Sequence, residues 1–171
     1  MLKLGLARLE RERSVRLRAE IPADDPLWVG SGFAFEGPLA VDLRAQEAGS
    51  GEIVVRGEVQ GVLQQECRRC LEPVRTELKR DLTLVYAPED LLGEEAGEGE
   101  VRLIPHNASE LNLGEAVREE LILSVEPYVV CNPACRGLCP RCGVDLNQET
   151  CDCAREEPDP RWDVLRATKS E

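Results

Sequence analysis

The chain has a single histidine, His106, among its 171 residues. A catalytic zinc keeps one coordination position open for water and usually has histidine or carboxylate around it. A lone histidine in a loop-like stretch therefore reads as a surface side chain. The zinc-deaminase signature, H-x-E followed by P-C-x-x-C, is missing as well. His106 precedes Asn107-Ala108, and Pro140 lies inside a C-x-x-C. Aromatic residues make up only 4%, so the core must be built of Leu, Val, Ile and Ala. No apolar run approaches the ~20 residues that cross a bilayer, and the first residues, MLKLGLARLERERSVRLRAE, contain no apolar signal-peptide region. The expected location is cytoplasmic, where clustered cysteines more often mean metal or redox chemistry than disulfides. No phosphate-binding glycine loop, serine elbow or pair of catalytic carboxylates is present, so the expectation is that the protein is not an enzyme.

Positive charge is also scarce. Lys and Arg number 21 against 33 Asp and Glu, a formal net charge of −12. That balance disfavours a protein that grips bare nucleic acid along its backbone. The charge is uneven, however. Residues 1–20 carry six basic and three acidic side chains, and residues 89–100 carry six acidic and no basic ones.

What the chain does have is strand periodicity. Val15, Leu17, Ala19 and Ile21 alternate with Arg16, Arg18 and Glu20, the pattern of a half-buried antiparallel strand. Residues 22–38 read as loop, with Trp28 and Phe33 or Phe35 covering an edge of the core. Residues 39–45 alternate again, with Leu39, Val41 and Leu43 inward. Ala48 to Gly51 marks a turn. Residues 52–66 place Ile53, Val55, Val59 and Leu63 on one face. Gly57 and Gly61 fall on that same face, as expected of a bend, a bulge or a close backbone approach. Residues 77–86 return with Leu78, Leu82, Leu84 and Tyr86 inward. The acidic stretch 87–100 reads as a surface excursion, and 101–104 as one more short strand. Asn112 is a good N-cap for a helix over 113–125, with Glu115 placed for a capping box. Its apolar face is Leu113, Ala116, Val117 and Leu121, widened by Ile122 and Val125, and Pro127 ends it. A short terminal helix is expected over 159–165, begun by Asp159-Pro160. The fold class is α+β: an antiparallel sheet or partial barrel, one main helix and a zinc-ribbon-like cysteine module. The expected division is a core domain over 1–130 and a module over 131–171 packed on it.

Cysteine is the residue that stands out. Six of the eight lie between Cys131 and Cys153, and the other two form Cys67-Arg-Arg-Cys70 at the tip of the predicted hairpin. A C-x-x-C turn sets two thiolates on one side of the backbone, and two such pairs close a tetrahedral zinc site. The pairs are Cys67/Cys70, Cys131/Cys135, Cys139/Cys142 and Cys151/Cys153, enough for two structural zinc ions, or one. Two partitions are open. In the first, preferred, partition Cys139/Cys142 joins Cys151/Cys153 in a self-contained knuckle, and Cys131/Cys135 joins Cys67/Cys70, pinning the end of the helix to the hairpin tip. In the second, the two C-x-x-C turns share one metal, as zinc ribbons do. A thioredoxin-like role for Cys139-Pro-Arg-Cys142 would need a helix start after a parallel strand, and no βαβ pattern surrounds it. Arg68, Arg69, Arg136 and Arg141 could form a small basic spot beside the metal or simply neutralise a tetrathiolate.

The chain resembles a known family at Cys67-Arg-Arg-Cys70-Leu71, at Cys131 through Asn147 and at Asp159-Pro160-Arg161. These motifs are similar to those of the YceD-type large ribosomal RNA subunit accumulation proteins of bacteria and plastids. The resemblance implies a non-enzymatic role in 23S rRNA accumulation or processing and in assembly of the large ribosomal subunit. The implied partners are ribosomal RNA or large-subunit assembly intermediates, met directly or through a protein. A thiol–disulfide protein and a zinc-module adaptor outside ribosome biology are the other readings.

Overall fold

The computed structural model describes residues 2–49, 51–91 and 101–153. Most of the acidic stretch and the terminal helix expected at 159–165 lie outside the described residues. The fold is α+β, with a main sheet, a two-stranded sheet and two α-helices among the described residues.

The main sheet runs in the order β2 (Ser14–Ile21), β4 (Leu39–Glu47), β5 (Ile53–Glu66), β6 (Pro73–Pro88) and β7 (Val101–Ile104). A two-residue strand, β3 (Ala34–Phe35), pairs with the far end of β5. Neighbours from β2 to β6 are antiparallel, and each is joined to the next in chain order or through the loop carrying β3. β7 departs from the expected antiparallel sheet. It lies parallel to β6, with Val85 opposite Val101 and Pro88 opposite Ile104.

The period-2 pattern decides which face is covered. Leu39, Val41, Leu43, Val55, Val59, Leu78, Leu82, Leu84 and Tyr86 are all buried on one face. β5 and β6 stay paired along fourteen positions, from Ile53–Tyr86 to Glu66–Pro73. Gly57 shows the close approach expected of it. A Cβ there would stand 2.0 Å from the Asp42 carbonyl oxygen and 2.7 Å from the Leu43 Cα.

Helix α2 (Leu113–Ser124) covers the inner face. Asn112 caps it by accepting a hydrogen bond from the Gly114 amide at 3.1 Å. Leu113, Ala116, Val117 and Leu121 are buried as expected, and Val125 packs against the core. Ile122 does not widen the face and is exposed, because it follows Leu121 by 100° around the helix and points past the sheet. From β6, Arg80 reaches across and donates to the Ser124 carbonyl at 3.0 Å, satisfying one free acceptor at the helix end.

A second, shorter helix, α1 (Leu6–Glu12), follows β1 (Lys3–Gly5), which pairs with β8 (Glu110–Asn112). Only Leu9 of α1 is buried, so it left little apolar period in the sequence. The stretch 22–38 holds a 3-10 turn, Pro26–Trp28, as well as β3. Trp28 is buried there, with the Phe35 ring centroid 4.9 Å away and that of Phe33 6.4 Å away, an aromatic cover on the core as expected.

Candidate metal centre

The longest hairpin in the fold ends in a tight turn that carries Cys67 and Cys70. The Leu71 amide donates to the Cys67 carbonyl at 2.9 Å, and the Cys67 amide donates to the Glu72 carbonyl at 2.8 Å. The same two bonds recur in the Cys139–Cys142 turn: Gly143 to Cys139 at 2.9 Å, and Cys139 to Val144 at 2.8 Å. Both turns are therefore one knuckle built twice. In each, the residue after the second cysteine is left-handed, with φ 63° at Leu71 and 73° at Gly143.

The eight sulfurs gather into two groups of four. Cys67, Cys70, Cys131 and Cys135 form one, and Cys139, Cys142, Cys151 and Cys153 the other, each with all its sulfurs within 4.8 Å of one another. This is the first of the two partitions. None of the eight is in a disulfide. The measured contacts are 3.8 Å for Cys67–Cys135 and 3.5 Å for Cys70–Cys131. A tetrahedron with arms of ~2.3 Å, the zinc–sulfur length, has edges of about 3.8 Å. The first group thus has the size of a tetrathiolate metal site and is far too open for a disulfide, whose sulfurs are about 2.0 Å apart.

The two groups differ in shelter. In the first, Cys67, Cys70 and Cys135 are buried in a small apolar cluster with Val74, Val130 and Leu138. In the second, only Cys139 is buried, and Cys142 and Cys153 are exposed.

The thiols of each group differ in how readily they ionise. The backbone amide of Cys131, aided by those of Cys70 and Arg69, lowers Cys67 to about 6 from the ordinary thiol value of 9.0. Contacts with Cys70 and Cys135 push Cys131 up to about 12. In the second group the amides of Cys142 and Arg141 lower Cys139 to about 6, and contact with Cys142 pushes Cys153 up to about 12. In each group one thiol ionises readily and another resists, because thiolates this close repel. A divalent cation at the centre removes that repulsion and holds all four ionised.

The segment between the groups docks onto the hairpin tip. The Leu138 amide donates to the Arg69 carbonyl at 2.8 Å, and the Arg69 guanidinium donates to the carbonyls of Cys135 at 2.9 Å and Pro133 at 3.3 Å. Gly137, at φ 75°, is required there, since a Cβ would stand 2.8 Å from the Arg69 carbonyl oxygen. Asn147 ties the groups together. Its side-chain oxygen accepts from the Arg136 amide at 2.7 Å, and its amide nitrogen lies 3.5 Å from the Cys135 sulfur. Nothing in the spacing of the cysteines pointed to Asn147. It sits between ligands of the second group yet touches a ligand of the first.

Of the four arginines singled out, Arg69 is thus bound to the backbone and Arg68 lies over the Tyr128 ring at 5.1 Å, while Arg136 and Arg141 are exposed. His106 is exposed beside Glu89 at 3.3 Å and Asp90 at 3.5 Å.

Comparison with known proteins adds a family. The profile described as "Large ribosomal RNA subunit accumulation protein YceD" matches residues 55–169, a span that holds all eight cysteines. An uncharacterized protein of Mycobacterium tuberculosis is 38% identical over 128 residues, covering 74% of this chain and 60% of the relative. The chain therefore spans about 60% of the length of that curated relative. The protein named "Large ribosomal RNA subunit accumulation protein YCED homolog 1, chloroplastic" of Arabidopsis thaliana is 34% identical over 61 residues, 36% of this chain and 19% of that protein. Its Zea mays counterpart is 26% identical over 130 residues, 60% of this chain and 44% of that protein. No solved structure matches.

Proposed function

The chain belongs to the YceD family of large ribosomal RNA subunit accumulation proteins, and from that membership we propose that it is a non-enzymatic factor supporting 23S rRNA accumulation or processing during large-subunit assembly. The observation that carries this reading is the match over residues 55–169, which takes in the hairpin tip and both cysteine groups together. Its partners on this reading are ribosomal RNA or large-subunit assembly intermediates, and its place of work is the cytoplasm.

Two structural zinc ions complete the proposal. Four sulfurs at each centre fill a tetrahedron and leave no position for a reacting water. Sulfur-only donor sets favour zinc among the abundant divalent ions. The stretch Cys131–Cys153 is then a cysteine module clamped onto the core domain over 1–130, with the two C-x-x-C turns on different metals and not on one as in a zinc ribbon.

Depletion of the protein tests the function. Large-subunit rRNA is expected to fall relative to small-subunit rRNA, and re-expression should restore it. Equal levels of both after depletion would dismiss the proposal. Elemental analysis tests the metal: close to two zinc ions per chain are expected.

A further inference from the structure

The outer face of the main sheet holds an arrangement that folding alone disfavours. Arg16 of β2 stands directly opposite Arg44 of β4, and Arg44 stands directly opposite Arg56 of β5. Thr83 of β6 continues the row. Like charges directly opposite one another in an antiparallel pair are destabilising. The chain has 33 acidic residues to draw on, yet it places none in this row.

The neighbouring carboxylates relieve only its Arg16 end. Asp42 is claimed twice, by Arg16 at 2.8 and 2.7 Å and by Arg18 at 2.9 Å. Glu58 is claimed by Lys79 at 3.5 Å. Glu47 pairs with Arg13. Among the described residues Arg44 and Arg56 have no carboxylate within ion-pair distance, and both are exposed. They line two open grooves. One, of about 600 Å³, is also bordered by Arg16 and Thr83 and, along one side, by Asp42, Glu58 and Asp81. The other, of about 330 Å³, is also bordered by Gln46, Val54 and the Arg13-paired Glu47.

We propose that Arg44 and Arg56, beside the Asp42-paired Arg16, bind the phosphates of single-stranded RNA. The proposal rests on the ribosomal RNA reading above and deepens it, because it makes the RNA contact direct. The two arginines stand on adjacent strands, about 5 Å apart at ~4.8 Å per strand. Guanidinium forks match phosphate oxygens in pairs. The next row over, Asp42, Glu58 and Asp81, repels phosphates on one side, so the arginines offer a single line of positive charge. The aromatic cluster Trp28, Phe33 and Phe35 lies with the core and not on this face, so bases are not stacked here. Binding is therefore to the backbone, insensitive to sequence and steep in salt.

The test is fluorescence anisotropy with a labelled oligouridylate over a salt series, using the full chain. Replacing Arg44→Gln and Arg56→Gln together removes two phosphate contacts. The slope of log affinity against log salt should then flatten by about 1.4, at ~0.7 per contact for single strands, with a tenfold to hundredfold loss of affinity at ~50 mM salt. Asp81→Asn should tighten binding. The double variant should also melt at the same or a higher temperature, since like charges are removed, whereas a structural ladder would melt lower. Unchanged RNA affinity in the double variant overturns the proposal. So does binding of poly-glutamate as tight as that of RNA, which would assign the row to an acidic protein. The ribosomal reading fails separately, through the depletion experiment. If depletion lowers large-subunit rRNA while the double variant binds RNA normally, only the arginine row is wrong.

Discussion

Leu71 and Gly143 hold the same position in two equal turns but are different residues. Leu71 has φ 63° and a largely exposed side chain, 58% accessible. A side chain with a Cβ in the left-handed region costs roughly 1–2 kcal/mol, and exposure means that little burial offsets it. Leu71→Gly should therefore stabilise the fold by about 0.5–1 kcal/mol, reduced from the full strain by the extra freedom of glycine in the unfolded chain. Gly143→Leu should destabilise its turn by about 1–2 kcal/mol. Denaturant titration of the two variants checks the pair, and opposite signs are expected. Gly57 is the stricter case. A Cβ 2.0 Å from the Asp42 carbonyl oxygen cannot be accommodated by a rotamer change, because the obstacle is backbone. Gly57→Ala must push β4 from β5, and a loss of about 3 kcal/mol or more is expected in the same titration.

At the scale of elements, the strands were legible because their period survived in side chains that repeat. Val15 to Ile21, Leu39 to Leu43 and Ile53 to Leu63 alternate in the sequence as they do in the sheet. Helix α2 was legible through Asn112 and its apolar face. Helix α1 was not, since a seven-residue helix with one buried side chain has almost no period to show. The parallel docking of β7 was hidden for another reason: strand direction is set by where the chain returns, not by the residues of the strand. Loop lengths favoured the grouping of the cysteines that the structure has, without closing the alternative, whereas Asn147 entered only as the end of a family motif, because its contact to Cys135 is made only by the folded segment. The two groups should differ in what they hold together. Cys135→Ser opens a cross-link between segments some sixty residues apart and should lose about 3–5 kcal/mol, by analogy with the chain-entropy effect of a disulfide. Cys151→Ser breaks only a local knuckle and should cost the core less than about 1 kcal/mol. Core unfolding followed by denaturant, with zinc counted by native mass spectrometry, separates the two.

For the whole molecule the thiols set the pH dependence of the metal-free protein. Cys67 and Cys139 are lowered to about 6, so their contribution to stability is full above 9.0 and is lost as pH falls towards 6. Cys131 and Cys153 are raised to about 12, so theirs is full below 9.0 and is lost as pH rises towards 12. The metal-free chain should therefore show a thiol-dependent stability maximum near pH 9. With zinc bound all four thiols of each group stay ionised, and the alkaline fall should vanish. Melting temperatures across pH with and without a chelator check this. The division of ligands also has a consequence in time. The second group comes from one continuous stretch, Cys139 to Cys153, whereas the first waits for Cys131 after Cys70 has been made. At 5–20 residues per second that wait is about 3–12 s on the ribosome. For that interval Cys67 and Cys70 emerge as an unclosed pair on a finished hairpin, and the clamp can shut only when Cys131 and Cys135 arrive.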